Sequence, residues 1–373
     1  MRVLTILGTR PEIIRLSRVI PLLDEASDHV LVHTGQNFRP ELSDIFFSEL
    51  GLRDPDRYLG VKGATFGQQV GALLATIEPV FQEVRPDRLL VLGDTNTGLA
   101  SIVARRLGIP TFHMEAGNRC FDDRVPEEVN RRIIDHCSTV LLPYTHRSKE
   151  NLLREGFERS RIFVTGNPIK QVIDHYLPRI ESSDVTTRLG LEPGRFFLVT
   201  MHRAETVDRE TPLRDLVTAL AELHAAHGPP VVCSLHPRTR SKIEGFGIDV
   251  DRAGLAFLEP LGFFDFVRLE RDAWCVLTDS GTVQEETCLF GTPNVTVREV
   301  TERPETLEVG SNLLAGTDPD RILEAVALVT SERIGWAPPE EYLAANVAET
   351  VRRLVLGHRP PDASERRWLG DKG

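Results

Sequence analysis

The chain's 373 residues exceed what one hydrophobic core ordinarily serves, so two domains are expected, and 44 basic against 55 acidic residues leave a net charge of −11 that opposes a nucleic-acid partner. The five cysteines (Cys120, Cys137, Cys233, Cys275 and Cys288) are scattered and odd in number, with no C-x-x-C pair, which indicates neither zinc nor a disulfide framework and fits a reducing compartment. Met1 leads straight into an apolar strand and nowhere do about 18 apolar residues run together, so the expectation is a soluble cytoplasmic protein with no export signal and no membrane partner.

Strand-like apolar runs alternate with helical patterns throughout, predicting parallel sheets with helices on both faces. In the first half strands are expected at 3–7, 30–34, 88–92, 111–114, 139–142 and 161–164, with helices at 12–24, 66–83, 97–107, 127–136 and 146–154. A helical, charge-rich stretch, 170–188, precedes strands at 196–200, 231–235, 256–258, 275–278 and 294–297. Helices at 318–330 and 339–356 close the pattern. The predicted division is 1–168, 169–356 and a loosely held polar tail, 357–373.

Ligands of open α/β sheets bind outside the carboxyl ends of the strands, and two such domains are expected to form a cleft there. The chemically loaded residues sit at those ends. Gly8-Thr9-Arg10-Pro11-Glu12, Gly93-Asp94-Thr95-Asn96-Thr97 and Glu115-Ala116-Gly117-Asn118-Arg119 follow strands of the first half. Met201-His202-Arg203, His236-Pro237-Arg238 and Asp279-Ser280-Gly281-Thr282 follow strands of the second.

The Ser280 turn lies between the short apolar run 273–277 and helical spacing over 283–290, where free N–H groups and the helix dipole favour an anion. Glu285 and Glu286 behind it suit ribose hydroxyls, so the joint reading is a nucleotide; an ordinary helix capped by Ser280 is the alternative. Neither G-x-G-x-x-G nor G-x-x-x-x-G-K-[ST] follows any strand, and G-x-S-x-G is absent, which excludes the fingerprints of NAD, FAD and ATP use and weakens a serine hydrolase. Acids and arginines remain.

Asp94, Glu115 and Glu127, with His202, are candidate proton carriers, while Arg10 and Arg303 offer forks suited to a diphosphate. Each has a structural alternative. Asp94 would serve as a helix cap, Glu127 and Glu128 after Pro126 would offset a helix dipole, and His236 before Pro237 would be a turn residue. Phe263, Phe264 and Phe266 read as core, with one exposed ring available to stack on a base. Glu115 ends an apolar strand, where an unpaired charge is costly, so function is favoured there.

These segments, with Pro126-Glu127-Glu128-Val129-Asn130-Arg131, Thr165-Gly166-Asn167 and Thr301-Glu302-Arg303-Pro304-Glu305, resemble the bacterial UDP-N-acetylglucosamine 2-epimerase family over 1–356. The resemblance implies two Rossmann-like domains arranged as in GT-B glycosyltransferases, a homodimer, a UDP-sugar substrate held mainly by the second domain, and a reaction needing neither metal nor cofactor. It implies that Ser280, Gly281, Thr282 and Glu286 bind phosphate and ribose, that Phe266 packs on uracil, and that Arg10, His202, His236 and Arg303 belong to the UDP site. Asp94, Glu115 and Glu127 would surround the sugar ring. The implied chemistry removes the C2 proton, expels UDP to leave a glycal, and re-adds UDP with a proton on the opposite face.

Several positions depart from the family pattern. Arg15 stands where a lysine is common, Gly281-Thr282 where Gly-Gly is frequent, and Gln36-Asn37-Phe38 where a regulatory site carries Gln-His-Arg. The segments 34–38 and 114–122 are more similar to a subgroup acting on modified sugars, such as UDP-2,3-diacetamido-2,3-dideoxyglucuronate or UDP-N-acetyl-L-hexosamines. A hydrolysing relative releasing N-acetylmannosamine and UDP, a GT-B glycosyltransferase and a nucleotide-sugar sensor are the competing readings. A sensor would have no use for the three acids.

Overall fold

The computed structural model describes residues 1–35, 40–331 and 335–359. Gln36-Asn37-Phe38 and most of the expected tail lie outside the described residues. The described chain gathers into two compact units, Met1–Val172 together with the segment beginning at Glu341, and Ile173–Glu340.

Among the described residues the first unit is built on strands β1 (Arg2–Leu7), β2 (Asp28–His33), β3 (Arg57–Tyr58), β4 (Arg88–Leu92), β5 (Thr111–Met114) and β6 (Val140–Leu142). They form one parallel sheet in the order β3-β2-β1-β4-β5-β6. Every residue of β4, β5 and β6 is buried, as expected of strands covered on both faces, which is why they read as continuous apolar runs. The order reverses between β1 and β4, so the turns after β1, β4 and β5 emerge side by side at the topological switch point.

The second unit repeats the plan with β7 (Phe197–Met201), β8 (Val231–Leu235), β9 (Leu255–Leu258), β10 (Cys275–Thr278), β11 (Asn294–Thr296) and β12 (Asn312–Leu314). Its parallel order is β12-β11-β10-β7-β8-β9, so the turns after β10, β7 and β8 are neighbours in the same way. Both sheets are Rossmann-like, and the strand expectations that place the loaded turns hold.

Other expectations are revised. The helix expected at 12–24 is two, Arg10–Leu16 and Val19–Ala26, divided at the C-cap Ser17. Residues 161–164 run beside β6, with the Phe163 amide donating to the Leu141 carbonyl at 2.9 Å, yet only an isolated Leu141–Ile162 bridge forms. The 170–188 stretch breaks into Ile169–Glu181 and Val185–Arg188, because Ser183 turns away to donate to Asp265 at 2.6 Å. The last expected helix is a short 3-10 turn, Glu340–Leu343, followed by Val347–Gly357. Strands β3 and β12 are too short to leave a periodic signature. Among the described residues no helix is long and apolar enough to cross a membrane.

Candidate active site

The first unit assembles its site from the turns after β1, β4 and β5. Glu12, on the helix Arg10–Leu16, ties two of them: its Oε2 accepts from the Gly8 and Thr9 amides at 2.8 and 2.7 Å, and its Oε1 accepts from the Thr95 hydroxyl at 2.9 Å. Burial pushes the Glu12 carboxyl up to about 7, although all of these hydrogen bonds oppose the shift. Arg10 beside it is exposed, with its guanidinium carbon 5.6 Å from the Phe46 ring centre.

Glu115 ends β5 in the left-handed backbone region, at φ +67, which a residue with a side chain adopts only at a cost of order 1 kcal/mol or more. It is 7% exposed, and its Oε2 is ion-paired with Arg15, itself buried over the Tyr144 ring at 5.5 Å. Its Oε1 accepts from the Asn118 amide at 3.1 Å. A side chain at Gly93, whose φ is +73, would come within 3.7 Å of Glu115 Oε2, so this carboxylate sits against the turn that carries Asp94.

Asp94 is fixed by Arg131, whose Nε donates to Oδ2 at 2.8 Å. Arg131 also holds Glu128 at 2.9 Å, which connects the Asp94 turn to the helix Pro126–Cys137. The two acids after Pro126 separate here. Glu128 is fully buried, paired with Arg131 and Arg132, and accepts from the Cys120 amide at 3.0 Å. Burial, which would raise its carboxyl, is outweighed by these donors, and it is held below the usual carboxylate range. Glu127 is partly exposed in the same first turn.

In the second unit Asp279 closes β10 and organises the loop after β7. Its Oδ2 accepts from the His202 and Arg203 amides at 2.7 and 2.8 Å, and its Oδ1 lies 3.0 Å from His202 Nδ1. Burial opposes ionisation of Asp279, but His202 and the two amides prevail and hold its carboxyl low. The His202 ring, 34% exposed, is thereby brought beside the Ser280 turn with Nδ1 occupied. His236 caps the helix Pro237–Gly245 by accepting from the Arg238 amide at 3.2 Å, and its ring centre lies 6.3 Å from that of His202.

Ser280 is the N-cap of the helix Gly281–Phe290, but its side chain makes no capping hydrogen bond to the helix. A side chain at Gly281 would approach Glu302 Oε1 at 2.7 Å, and Glu302 is held by Arg298 at 3.0 Å, so the turn keeps its backbone bare. That geometry suits an anion at the helix start. Thr282 is partly exposed, while Glu286 is buried one turn further in. Phe263 and Phe264 are buried, whereas Phe266, on the helix Phe263–Asp272, is partly exposed and packs against the cluster containing Val283 of the helix that Ser280 caps. Arg303 is buried and ion-paired with Glu285, so its guanidinium is engaged by a carboxylate of its own unit.

Sequence patterns alone do not single out Arg15, Arg131, His113 or Asp135 as site residues. The only signal for Arg15 is its departure from a common lysine; the others stand inside a motif, a helix or an apolar strand without a mark of their own.

A family description, UDP-N-acetylglucosamine 2-epimerase, matches residues 23–355. A protein of that name from Methanocaldococcus jannaschii is 39% identical over 350 residues, covering 91% of this chain and 95% of that protein. A UDP-2,3-diacetamido-2,3-dideoxy-D-glucuronate 2-epimerase from Pseudomonas aeruginosa is 39% identical over 331 residues, covering 87% and 91%. The crystal structure of the Methanocaldococcus jannaschii UDP-GlcNAc 2-epimerase in complex with UDP-GlcNAc and UDP superposes with a TM-score of 0.92 at 38% identity, covering 96% of this chain and 100% of that one. Two Rossmann-like sheets, the loaded turns at their switch points and likeness over nearly the whole length place this chain in the UDP-N-acetylglucosamine 2-epimerase family, a family of isomerases.

Proposed function

We propose that this chain is a non-hydrolysing 2-epimerase interconverting UDP-N-acetylglucosamine and UDP-N-acetylmannosamine. The observation that carries the reading is Glu115, a buried carboxylate in a strained backbone conformation whose ion pair with Arg15 favours its charged form. It is suited to take the C2 proton. As the proton leaves, the C1–C2 double bond forms and the C1–oxygen bond breaks, its electron pair departing on the β-phosphate oxygen of UDP. Re-addition puts a proton on the opposite face of C2 and UDP back on C1; Asp94 and Glu127 are the remaining carriers for that proton.

The second unit supports the nucleotide. The Ser280 turn offers free helix N–H groups to phosphate, Glu286 suits the ribose and Phe266 the uracil. His202, with Nδ1 engaged by Asp279, leaves Nε2 to face the diphosphate as its charge grows, and Arg10 and His236 are further candidates for polar contacts to it. Arg303 serves this site through Glu285. The same reading has the enzyme working in the cytoplasm as a homodimer, which sedimentation velocity checks.

Proton NMR in heavy water with UDP-N-acetylglucosamine tests the reaction. Solvent deuterium should enter C2 as the 2-epimer appears. Interconversion with the original hydrogen retained at C2 overturns the mechanism, and free N-acetylmannosamine as the main product moves the assignment to a hydrolysing enzyme. The likeness to the Pseudomonas aeruginosa enzyme favours one second reading, a modified UDP-sugar substrate. A much higher kcat/KM on UDP-2,3-diacetamido-2,3-dideoxyglucuronate than on UDP-N-acetylglucosamine would establish it.

A further inference from the structure

His113 and Asp135 are buried in the first unit, and the reaction above assigns neither of them a chemical role. His113 lies on β5, two residues before Glu115, and Asp135 on the helix Pro126–Cys137. His113 Nδ1 is 2.8 Å from Asp135 Oδ1, and Nε2 is 2.8 Å from the carbonyl oxygen of Gly93. A carbonyl only accepts, so Nε2 donates to Gly93 and Nδ1 is left to share a proton with Asp135.

The other oxygen of Asp135 is equally committed. Oδ2 accepts from the Gly117 amide at 3.1 Å and from Arg119 Nη2 at 2.8 Å. Arg119 in turn donates to the Asn118 carbonyl at 2.6 Å, and the Asn118 side chain donates to Glu115 at 3.1 Å. One buried carboxylate therefore gathers the turn that carries Glu115, and one imidazole extends that grip across to the turn that carries Asp94. The sheet adds one backbone bond at the start of each turn, the Gly93 amide donating to the Met114 carbonyl at 3.0 Å and the Glu115 amide to the Leu142 carbonyl at 3.1 Å, and the His113–Asp135 pair holds the same turns at further points, the Gly93 carbonyl and the Gly117 amide.

We propose that His113 and Asp135 are positioning residues for the epimerisation, coupling the Gly93–Asp94 turn to the Glu115–Gly117 turn so that two proton carriers keep a fixed separation. The inference rests on the functional reading above. Neither residue touches substrate; both act through the backbone they hold. Placement errors of about 1 Å at a reacting centre cost up to about a hundredfold in rate, so loss of the link should act on turnover more than on binding.

Two isosteric variants separate the halves of the link. His113→Gln places an amide N–H near the position of Nε2 and keeps the bond to Gly93; His113→Asn places one near Nδ1, keeps the bond to Asp135 and releases Gly93. Wild-type turnover of UDP-N-acetylglucosamine tests the functional reading by itself. With that turnover measured, each variant severs the link at one end, so both His113→Asn and His113→Gln should lower kcat at least about tenfold with KM changed less than about threefold. Wild-type kcat in either folded variant, or losses that follow the drop in Tm, would overturn the positioning role and leave the reaction standing. Should either variant fail to fold, Asp135→Asn decides: its single acceptor oxygen cannot serve His113, Gly117 and Arg119 together, so kcat must fall while UDP affinity holds, and wild-type kcat in this variant would overturn the proposal.

Discussion

Arg15 and Glu115, separated by 100 positions in the chain, form a buried ion pair at the carboxyl end of the first sheet, with the guanidinium also lying over the Tyr144 ring. Breaking such a pair by removing one partner leaves a buried charge uncompensated, which is far costlier than never having built it. Arg15→Met should therefore lower kcat by about a hundredfold or more, because a buried Glu115 without its cation favours the protonated form and is then not free to accept the C2 proton. Arg15→Lys keeps the charge without the planar fork and should retain activity to within about tenfold of wild type. Steady-state kinetics with UDP-N-acetylglucosamine decide this; near-normal kcat in Arg15→Met would remove the pair from catalysis.

Glu127 and Glu128 are adjacent in sequence and differ in environment, so their variants should fail differently. Glu128→Gln leaves Arg131 buried beside a neutral group and is expected to lose about 3 kcal/mol of stability, read from urea unfolding. Glu127→Gln, in a partly exposed first turn, should unfold as wild type does while turnover falls about a hundredfold. The reverse pattern would exchange their roles.

Binding of UDP isolates the second unit from the proton chemistry. Ser280→Ala or Glu286→Ala should weaken UDP by about 1–3 kcal/mol through lost hydrogen bonds to the ligand, with the fold retained. Gly281→Ala should do so as well, since its added methyl group would sit 2.7 Å from Glu302 Oε1 at the mouth of the turn. Calorimetry that finds unchanged UDP affinity in folded Glu286→Ala would exclude its ribose role.

Glu12 makes stability depend on pH in a direction opposite to that of a salt-bridged acid. Its folded carboxyl is raised from 4.5 to about 7, so between those values the unfolded chain releases a proton that the folded chain keeps. The folded state then binds more protons, and stability falls as pH rises through that window, by about 2–3 kcal/mol between pH 5 and 8. Glu12→Gln can present its carbonyl oxygen to the Gly8 and Thr9 amides and its NH2 to Thr95, so it should remove this slope while the fold persists. Urea denaturation at the two pH values, with an undiminished slope in the variant, would assign the dependence to another group.

Local chemistry was legible because it depends on residues a few positions apart. Apolar runs flanked by glycine and small polar residues marked the central strands of both sheets, and the same spacing put Arg10, Asp94, Glu115, His202 and Ser280 at strand ends. Short edge strands such as β3 carried no such period, and the break at Ser183 followed from a bond to a residue 82 positions away.

By itself the sequence determined the alternating α/β plan, the positions of the loaded turns and the family to which they belong, since each is written in contiguous residues. Tertiary structure alone decided which charges meet. It gave Arg15 to Glu115, Arg131 to Asp94 and Glu128, Arg303 to Glu285, and His113 to both Asp135 and the Gly93 carbonyl. An ion pair depends on distance and burial, and neither has a period in the chain; two glutamates side by side after Pro126 become one structural anchor and one candidate acid only when the helix that carries them is packed.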